Sequence, residues 1–351
     1  MPGFYRAVAA SKVKKGDYEI IHVDPPTSAT AMSAQFSFAN MPLNEFWRAS
    51  YRQNRYARYL NQGELNWRFR DILFNIITLT TEGKVGVLPV GPTRMRWWEL
   101  MAHTLEEFYL RHGAYPAGFT KDILQAAPYP DFAGVLASKA ASAFASRPAY
   151  KQPVLVRHGS PEFMTALYEH GKLRVRNASY YKTPDHNGAV RDDELRLHVS
   201  LALNREMVSK VARNPQDIPA GYTGQRIDFR FDHQRDFWLY CLTSSLDPRL
   251  FVDFEATACV VIKDPEEFRR RLRAAGATSF PGSLSKDGDV TYVDPLWPKS
   301  AKLFVPLSKH FRYEYQREHR FIFSAPPTRG LLSYVDVSLG PLVDIAELII
   351  L

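Results

Sequence analysis

The segment YEYQREHRFIF, residues 313–323, places a Gln-x-Glu sequence at the entry to an apolar run that predicts a β-strand. Side chains two residues apart on an extended chain point to the same face. We therefore expect Gln316 and Glu318 to lie side by side and to contact one ligand. An exposed ion pair between Glu318 and Arg320 on an edge strand is the alternative interpretation.

Two segments upstream also combine a predicted strand with polar residues at one end. LVRHG, residues 155–159, predicts a short strand that ends in a basic pair and a glycine. YCLTSS, residues 240–245, predicts an apolar strand that runs into three hydroxyl residues. The polar residues at these two strand ends are Arg157, His158, Thr243, Ser244 and Ser245. Surface positions and an ordinary strand-to-turn transition are the alternatives, because hydroxyl residues are common in turns.

Length and composition favour two globular domains. The chain has 351 residues, of which 45% are hydrophobic and 13% aromatic, which is enough to bury sizeable cores. Residues 147–153 contain two prolines and separate two regions that differ in their residue pattern. We therefore expect an α+β amino-terminal domain over residues 1–150 and a second domain over residues 151–351.

The formal net charge of +8 and the pI near 9.3 favour an anionic partner, either nucleic acid or a phosphate-bearing ligand. A basic surface that only confers solubility is the alternative. No run of about 18 residues is apolar and uncharged, and the first residues lack the apolar run of a secretory signal. We expect a cytoplasmic protein without a membrane partner.

The sequence contains no recognisable metal or phosphate-loop motif. The histidines show no paired-ligand spacing, and Cys241 and Cys259 lie in apolar, strand-like runs. The run Arg191-Asp192-Asp193-Glu194, with its three adjacent carboxylates, could suggest a cation site. Adjacent residues on an extended chain point in opposite directions, however, so we expect a solvated loop there and no metal.

The amino-terminal region predicts a basic helix followed by a hairpin. Residues 43–61 have helical spacing, with aromatic residues interleaved among four arginines. These arginines are Arg48, Arg52, Arg55 and Arg58, and they are candidates for nucleic-acid binding. The alternative is a buried aromatic face with solvated arginines. The runs 72–79 and 84–90 predict a β-hairpin, and residues 94–112 predict a helix.

The order of the three motifs, 155–159, 240–245 and 313–323, resembles the ADP-ribosyltransferase superfamily of the arginine, Ser-Thr-Ser, glutamate type. The resemblance implies an α+β fold with a split, strongly bent β core and flanking helices, and NAD as the substrate. It implies that Arg157 holds the NAD phosphates and that the hydroxyl residues 243–245 brace the nicotinamide ribose and the glutamate. Gln316 would orient the substrate and Glu318 would be the catalytic residue.

The chemistry of NAD gives a reason for these residue types. Cleavage of its glycosidic bond builds oxocarbenium character at the ribose, and a carboxylate beside that sugar stabilises this charge mainly in the transition state. Nicotinamide leaves as a neutral species, so neither a metal nor a pair of acidic groups is needed. An arginine fork matches the pyrophosphate through paired, charge-assisted hydrogen bonds.

Two departures from the family pattern leave the subtype open. The hydroxyl triplet reads Thr-Ser-Ser, and His158 lies beside Arg157 with Tyr180 and Tyr181 downstream. That set also matches the superfamily's other arrangement, which uses histidine, tyrosine and glutamate. Either Arg157 or His158 is therefore the basic residue that faces NAD.

Residues 155–324 also resemble uncharacterised bacterial families associated with defence against phage. This resemblance implies a toxin or defence effector with a macromolecular acceptor and an antitoxin partner. The positive charge and the Gln-x-Glu in place of Glu-x-Glu favour a nucleic-acid acceptor, RNA or DNA, over a protein. Two alternatives remain: an enzyme that only hydrolyses NAD, and a non-catalytic nucleic-acid-binding protein that uses the amino-terminal helix.

Overall fold

The computed structural model describes residues 41–80, 82–88, 94–115, 131–145, 150–203, 225–296, 302–324 and 332–351, with 13–14, 17–19, 147, 214 and 216. Within these ranges the chain is a mixture of helices and mainly antiparallel sheets, which confirms the predicted α+β class. The helices are α1 (Leu43–Gln53), α2 (Gln62–Ile76), α3 (Met95–His112), α4 (Val135–Ala145), α5 (Pro161–His170), α6 (Arg249–Asp253) and α7 (Pro265–Ser279). Short 3₁₀ helices cover Tyr56–Tyr59, Ala178–Lys182, Val305–Leu307 and Phe311–Gln316.

The strands fall into one large sheet and several small ones. The first eight are β1 (Val13–Lys14), β2 (Asp17–Glu19), β3 (Ile77–Leu79), β4 (Val85–Val87), β5 (Leu155–Gly159), β6 (Lys172–Asn177), β7 (Arg196–Leu203) and β8 (Gln225–Asp232). The others are β9 (Trp238–Thr243), β10 (Ala258–Ile262), β11 (Leu284–Asp289), β12 (Thr291–Val293), β13 (Lys302–Leu303), β14 (Ser308–His310), β15 (Glu318–Ser324), β16 (Tyr334–Ser338) and β17 (Ala346–Ile350). The large sheet has eight strands along the order β11-β15-β9-β5-β10-β17, with β6 and β16 joined to it at β9.

Helices cover both faces of the large sheet, as the strand β10 shows. Its five residues are all buried. Ala258, Val260 and Ile262 pack with side chains of α5 and α7, whereas Cys259 and Val261 pack with α4 and α6. Successive side chains of a strand point to opposite faces, so a strand covered on both faces must be apolar throughout.

The large sheet forks between β5 and β9. These strands share a single residue pair, Val156 with Thr243. Beyond it β5 continues along β10, while the other end of β9 pairs with β6 through Leu239 and Trp238. A gap therefore opens inside the sheet at the level of Arg157.

The predicted strand over 72–79 is wrong for its first five residues. Residues 72–76 belong to α2, and the strand β3 begins only at Ile77. The side chain of Asn61 accepts from the backbone of Glu64, whose side chain accepts from the backbone of Asn61, and this capping box begins α2. Buried residues at helical spacing, Leu65, Phe69, Ile72 and Ile76, then continue it.

The amino-terminal helices share hydrophobic clusters with the rest of the chain. Phe311 packs among residues of α2 and α3, with its ring 5.7 Å from that of Trp97. Buried alanines of α4 pack on the strands β5 and β10. Buried Arg68 also donates to both carboxylate oxygens of Asp294 at 2.9 Å. Side chains from both sides of the domain boundary predicted near residue 150 therefore pack in the same hydrophobic clusters.

One side chain of α2 holds the segment that precedes Glu318. Asn75 Nδ2 donates to the carbonyls of Phe311 and Arg312 at 3.2 Å, and its Oδ1 accepts from the Tyr315 amide at 2.8 Å. We expect Asn75→Ala to lower the free energy of unfolding by about 1–3 kcal/mol, because it leaves buried backbone groups without partners. Denaturant titration beside Asn66→Ala on the same helix, which should be near neutral, measures this. Equal stability of the two variants would contradict the proposed anchoring.

Candidate active site

Two adjacent cavities lie at the fork of the large sheet. A cleft of about 780 Å³ is bounded by β5, α5, β6 and β16, and a smaller cavity of about 170 Å³ lies beside Thr243 and Glu318. Arg157, His158 and Tyr181 line both. The structure thus brings together residues from all three sequence motifs around two adjacent cavities.

Glu318 is a buried carboxylate at the start of β15, opposite Thr243 of β9. Lys309 Nζ lies 3.1 Å from its Oε2, and Arg320 Nε lies 2.9 Å from its Oε1. Burial opposes ionisation, but the two cations outweigh it and hold the pKa of Glu318 well below its ordinary value. The alternative of an exposed ion pair with Arg320 is wrong, because both residues are buried.

A second buried carboxylate, Glu194, shares the same two cations. It lies 2.7 Å from Arg320 Nη2 and 3.7 Å from Lys309 Nζ. Burial raises the pKa of Glu194. The prediction that residues 191–194 form a solvated loop is therefore wrong at Glu194, whose charge is compensated inside the protein. The two carboxylates and two cations form a quartet that fixes the Glu318 side chain.

Gln316 and Glu318 meet at Lys309. Lys309 Nζ donates to Gln316 Oε1 at 3.3 Å, and Gln316 Nε2 donates to the Ala189 carbonyl at 2.8 Å. The expectation of an extended chain between the two is wrong, because Gln316 ends a 3₁₀ helix and Arg317 is in the left-handed region with a φ of 45°. A turn, rather than strand alternation, places both side chains beside Lys309.

The hydroxyl residues fasten β9 to the turn that carries Glu318. The Ser244 amide and its Oγ both donate to the Arg317 carbonyl, at 2.8 and 3.0 Å. Thr243 Oγ1 donates to the Ser245 carbonyl at 3.0 Å. In this structure Ser244 braces the Gln-x-Glu turn through the backbone, and Thr243 lines the small cavity.

Arg157 spans the gap of the fork. Its Nη1 donates to the Cys241 carbonyl of β9 at 2.7 Å, and its guanidinium lies 5.0 Å from the centre of the Tyr240 ring. Among the residues that the structure describes, no carboxylate lies within 4.0 Å of this guanidinium. A half-buried cation without a carboxylate partner, at the junction of two cavities, can bind an anion.

His158 differs from Arg157 in charge and orientation. Its ring lies 4.9 Å from that of Phe251 and 5.6 Å from that of Phe254. Burial, with a smaller effect of Arg157, lowers the pKa of His158 to about 3, so the ring is neutral. Within the described ranges, neither ring nitrogen has a hydrogen-bond partner. His158 can therefore donate or accept a hydrogen bond in the small cavity but cannot neutralise a phosphate.

Tyr180 and Tyr181 close one side of the cleft. The guanidinium of Arg176 lies 4.1 Å from the Tyr180 ring centre, and the two tyrosine rings are 5.5 Å apart. Burial raises the pKa of Tyr181, which therefore stays a neutral hydroxyl. Lys172 and Arg174 also line the cleft, where Arg174 is paired with Asp336 at 2.7 Å.

The four amino-terminal arginines lie away from this site. Three of them pair with buried glutamates of α3. The pairs are Arg48–Glu106 at 2.6 Å, Arg52–Glu106 at 2.5 Å and Arg55–Glu107 at 3.0 Å. Arg58 lies over the ring of Tyr59 at 4.6 Å. The aromatic residues Trp47, Tyr51 and Tyr56 are buried, and nucleic-acid contact by these arginines stays a prediction.

Sequence reasoning missed Glu194, Lys309, Arg320 and Tyr292, whose hydroxyl accepts from the Glu318 amide at 2.7 Å. Arg320 carried a usable signal, because it lies two residues after Glu318 on a strand and shares its face. Lys309 and Glu194 carried none, since charged residues in sequence are usually exposed.

Searches for other kinds of site and for relatives gave negative results. In the described ranges, no cluster of three or more histidine, cysteine, aspartate or glutamate side chains has the arrangement of a metal site. No helix in those same ranges combines the length and apolar character that a membrane crossing requires. Comparison with protein-family models, curated proteins and solved structures found no match.

Proposed function

We propose that this protein is a mono-ADP-ribosyltransferase that binds NAD at the fork of the sheet and transfers ADP-ribose to a macromolecular acceptor. The observation that carries the proposal is the convergence of Arg157, Thr243 and Glu318, from three neighbouring strands, on two adjacent cavities. A cleft of about 780 Å³ lies within the usual size range of small-molecule sites.

The proposed reaction breaks the bond between nicotinamide and C1′ of the ribose. Nicotinamide leaves with the electron pair of that bond, and positive charge develops on the ribose. Glu318, held ionised by Lys309 and Arg320, stabilises this charge from the small cavity. A lone pair of the acceptor then forms the new bond to C1′, and the acceptor's proton passes to solvent.

The other residues bind and orient NAD in this proposal. Arg157 pairs with the pyrophosphate at the junction of the cavities, because its guanidinium has no carboxylate partner among the described residues. Neutral His158 and Tyr181 offer hydrogen bonds to ribose hydroxyls. Gln316 is held by Lys309 and the Ala189 carbonyl, so it orients the ribose from a fixed position.

The biological setting is proposed from the resemblance of residues 155–324 to bacterial defence families. In that setting the protein is a cytoplasmic toxin or phage-defence effector, and an antitoxin would restrain it. A test is separate expression of the unmodified protein and of Glu318→Gln in bacteria, with growth compared between the two. Growth inhibition only by the unmodified protein supports the setting, and equal growth contradicts it.

Incubation with NAD labelled in the adenylate moiety, in the presence of separate RNA, DNA and protein pools, tests the function. We expect nicotinamide release and covalent label in one pool. Free ADP-ribose without labelled acceptor would instead identify an NAD hydrolase. No turnover would overturn the enzymatic proposal and favour a binding protein.

The charge state of Glu318 predicts the pH dependence of NAD cleavage. The pKa of Glu318 in the folded protein lies below its ordinary value. The contribution of Glu318 to the free energy of unfolding is therefore present above the unfolded pKa and is lost as pH falls through the folded pKa. Glu318 stays ionised as pH falls from about 8 to about 5, so we expect no decline of kcat over this range. Steady-state kinetics of nicotinamide release across this range measure kcat. A decline centred at about pH 6.5 would contradict the assignment of Glu318 as the catalytic residue.

A further inference from the structure

A third cavity, of about 530 Å³, lies on the far side of Lys309 from the NAD cleft. Its wall is formed by α2 with Trp67 and Asp71, by residues 191–193, and by the segment around Arg312. Lys309 lines both this cavity and the small cavity that contains Glu318. The two cavities are therefore neighbours at the Lys309 side chain.

Positive side chains outnumber carboxylates in this cavity, where Asp71 and Asp192 also act on the charge of Arg312. Lys182, Arg191, Arg196 and Arg312 line it. Asp193 lies 3.2 Å from Lys182 and 3.6 Å from Arg196, so it compensates those two in part. In the ranges that the structure describes, neither Arg191 nor Arg312 has a carboxylate within 4.0 Å. Two guanidinium groups without a paired carboxylate are suited to phosphate oxygens.

An aromatic side chain lies next to these cations. Trp67 on α2 is 53% exposed, although an indole is normally among the more buried side chains. Arg70 lies over its ring at 4.8 Å, which holds the indole in place. An exposed, held aromatic ring beside arginines is the combination with which proteins stack the bases of single strands and contact their phosphates.

We propose that this third cavity binds a nucleotide of a single-stranded nucleic acid as the acceptor of ADP-ribose. Trp67 stacks on a base, Arg191 and Arg312 contact the flanking phosphates, and Asp71 and Asp192 accept hydrogen bonds from the N–H groups of the base. The cations and the indole together favour a nucleic acid over a protein segment. This inference rests on the proposed transferase function.

The experiment measures oligonucleotide binding and NAD cleavage separately. The probes are single-stranded DNA and RNA of mixed sequence, about 20 nucleotides long, and their affinity is measured without NAD by fluorescence anisotropy. We expect Trp67→Ala and Arg191→Gln each to weaken binding and labelling of the preferred probe about tenfold or more. Arg191→Gln should also reduce the salt dependence of binding by about one phosphate contact.

Matched controls use residues that do not line the cavity. Phe46→Ala removes another exposed aromatic residue, and Arg235→Gln makes the same charge change in an exposed loop. Both should bind the probe as the unmodified protein does. Nicotinamide release without acceptor should be unchanged in Trp67→Ala and Arg191→Gln, since neither lines the NAD cleft.

The two proposals fail differently. Unchanged probe affinity in both Trp67→Ala and Arg191→Gln, or label found only in the protein pool, would overturn this acceptor site while NAD cleavage persists. Absence of NAD cleavage in the unmodified protein would overturn the transferase function and, with it, the role of the cavity as an acceptor site. Probe binding that depends on Trp67 would then identify the cavity as a nucleic-acid site only.

Discussion

Glu318→Gln is expected to reduce nicotinamide release by about 100-fold or more, with the Kd for NAD changed by less than about threefold. The carboxylate stabilises charge that exists mainly in the transition state, so its removal affects turnover rather than ground-state binding. Glutamine keeps the size of the side chain, and its single oxygen can still accept from Lys309 Nζ and Arg320 Nη2, which contact Oε2 of Glu318 at 3.1 and 3.2 Å.

Glu314→Gln is the matched control. It makes the same chemical change four positions earlier, at a residue whose carboxylate lies 3.5 Å from Arg96 and outside both cavities. Circular dichroism establishes that both variants are folded. Near-normal turnover by folded Glu318→Gln would show that this glutamate is not catalytic.

Arg157→Ala is expected to weaken NAD binding by about 10- to 100-fold, because an arginine–phosphate pair contributes charge-assisted hydrogen bonds. Isothermal titration with NAD measures the change. Arg174→Ala is the comparison, since Arg174 also lines the cleft but is paired with Asp336 at 2.7 Å and should contribute less.

His158→Ala separates the two possible subtypes. Its ring is neutral, so its removal costs a hydrogen bond and packing on Phe251 and should weaken NAD binding by less than about tenfold. A larger loss with His158→Ala than with Arg157→Ala would reverse the two roles. It would favour the histidine, tyrosine and glutamate arrangement.

The strands that carry the three motifs could be predicted from sequence because each is an apolar run with polar residues at one end. The strand predicted within residues 313–323 is β15, which begins at Glu318, and β9 and β5 lie within two residues of their predicted bounds. Their neighbours could not be predicted, since strand pairing depends on contacts distant in sequence. The fork depends on such pairing, because it arises where β5 follows β10 and β9 follows β6.

The buried quartet could not be predicted for a different reason. Glu194 and Lys309 look in sequence like ordinary surface charges, and only folding shows that Glu194 is compensated by Lys309 and Arg320. In α2, the β-branched residues Ile72 and Ile76 favoured a strand by local propensity. The capping box at Asn61 and the burial of one helix face outweighed that preference.

The most direct measurement is a crystal structure of the protein with NAD bound. The proposal predicts the pyrophosphate beside Arg157 and the nicotinamide ribose in the small cavity, with Glu318 next to C1′. In Glu318→Gln crystals the same pose should persist with the glycosidic bond intact. NAD bound elsewhere, or saturating NAD with no density in the fork, would contradict the assignment of this cleft.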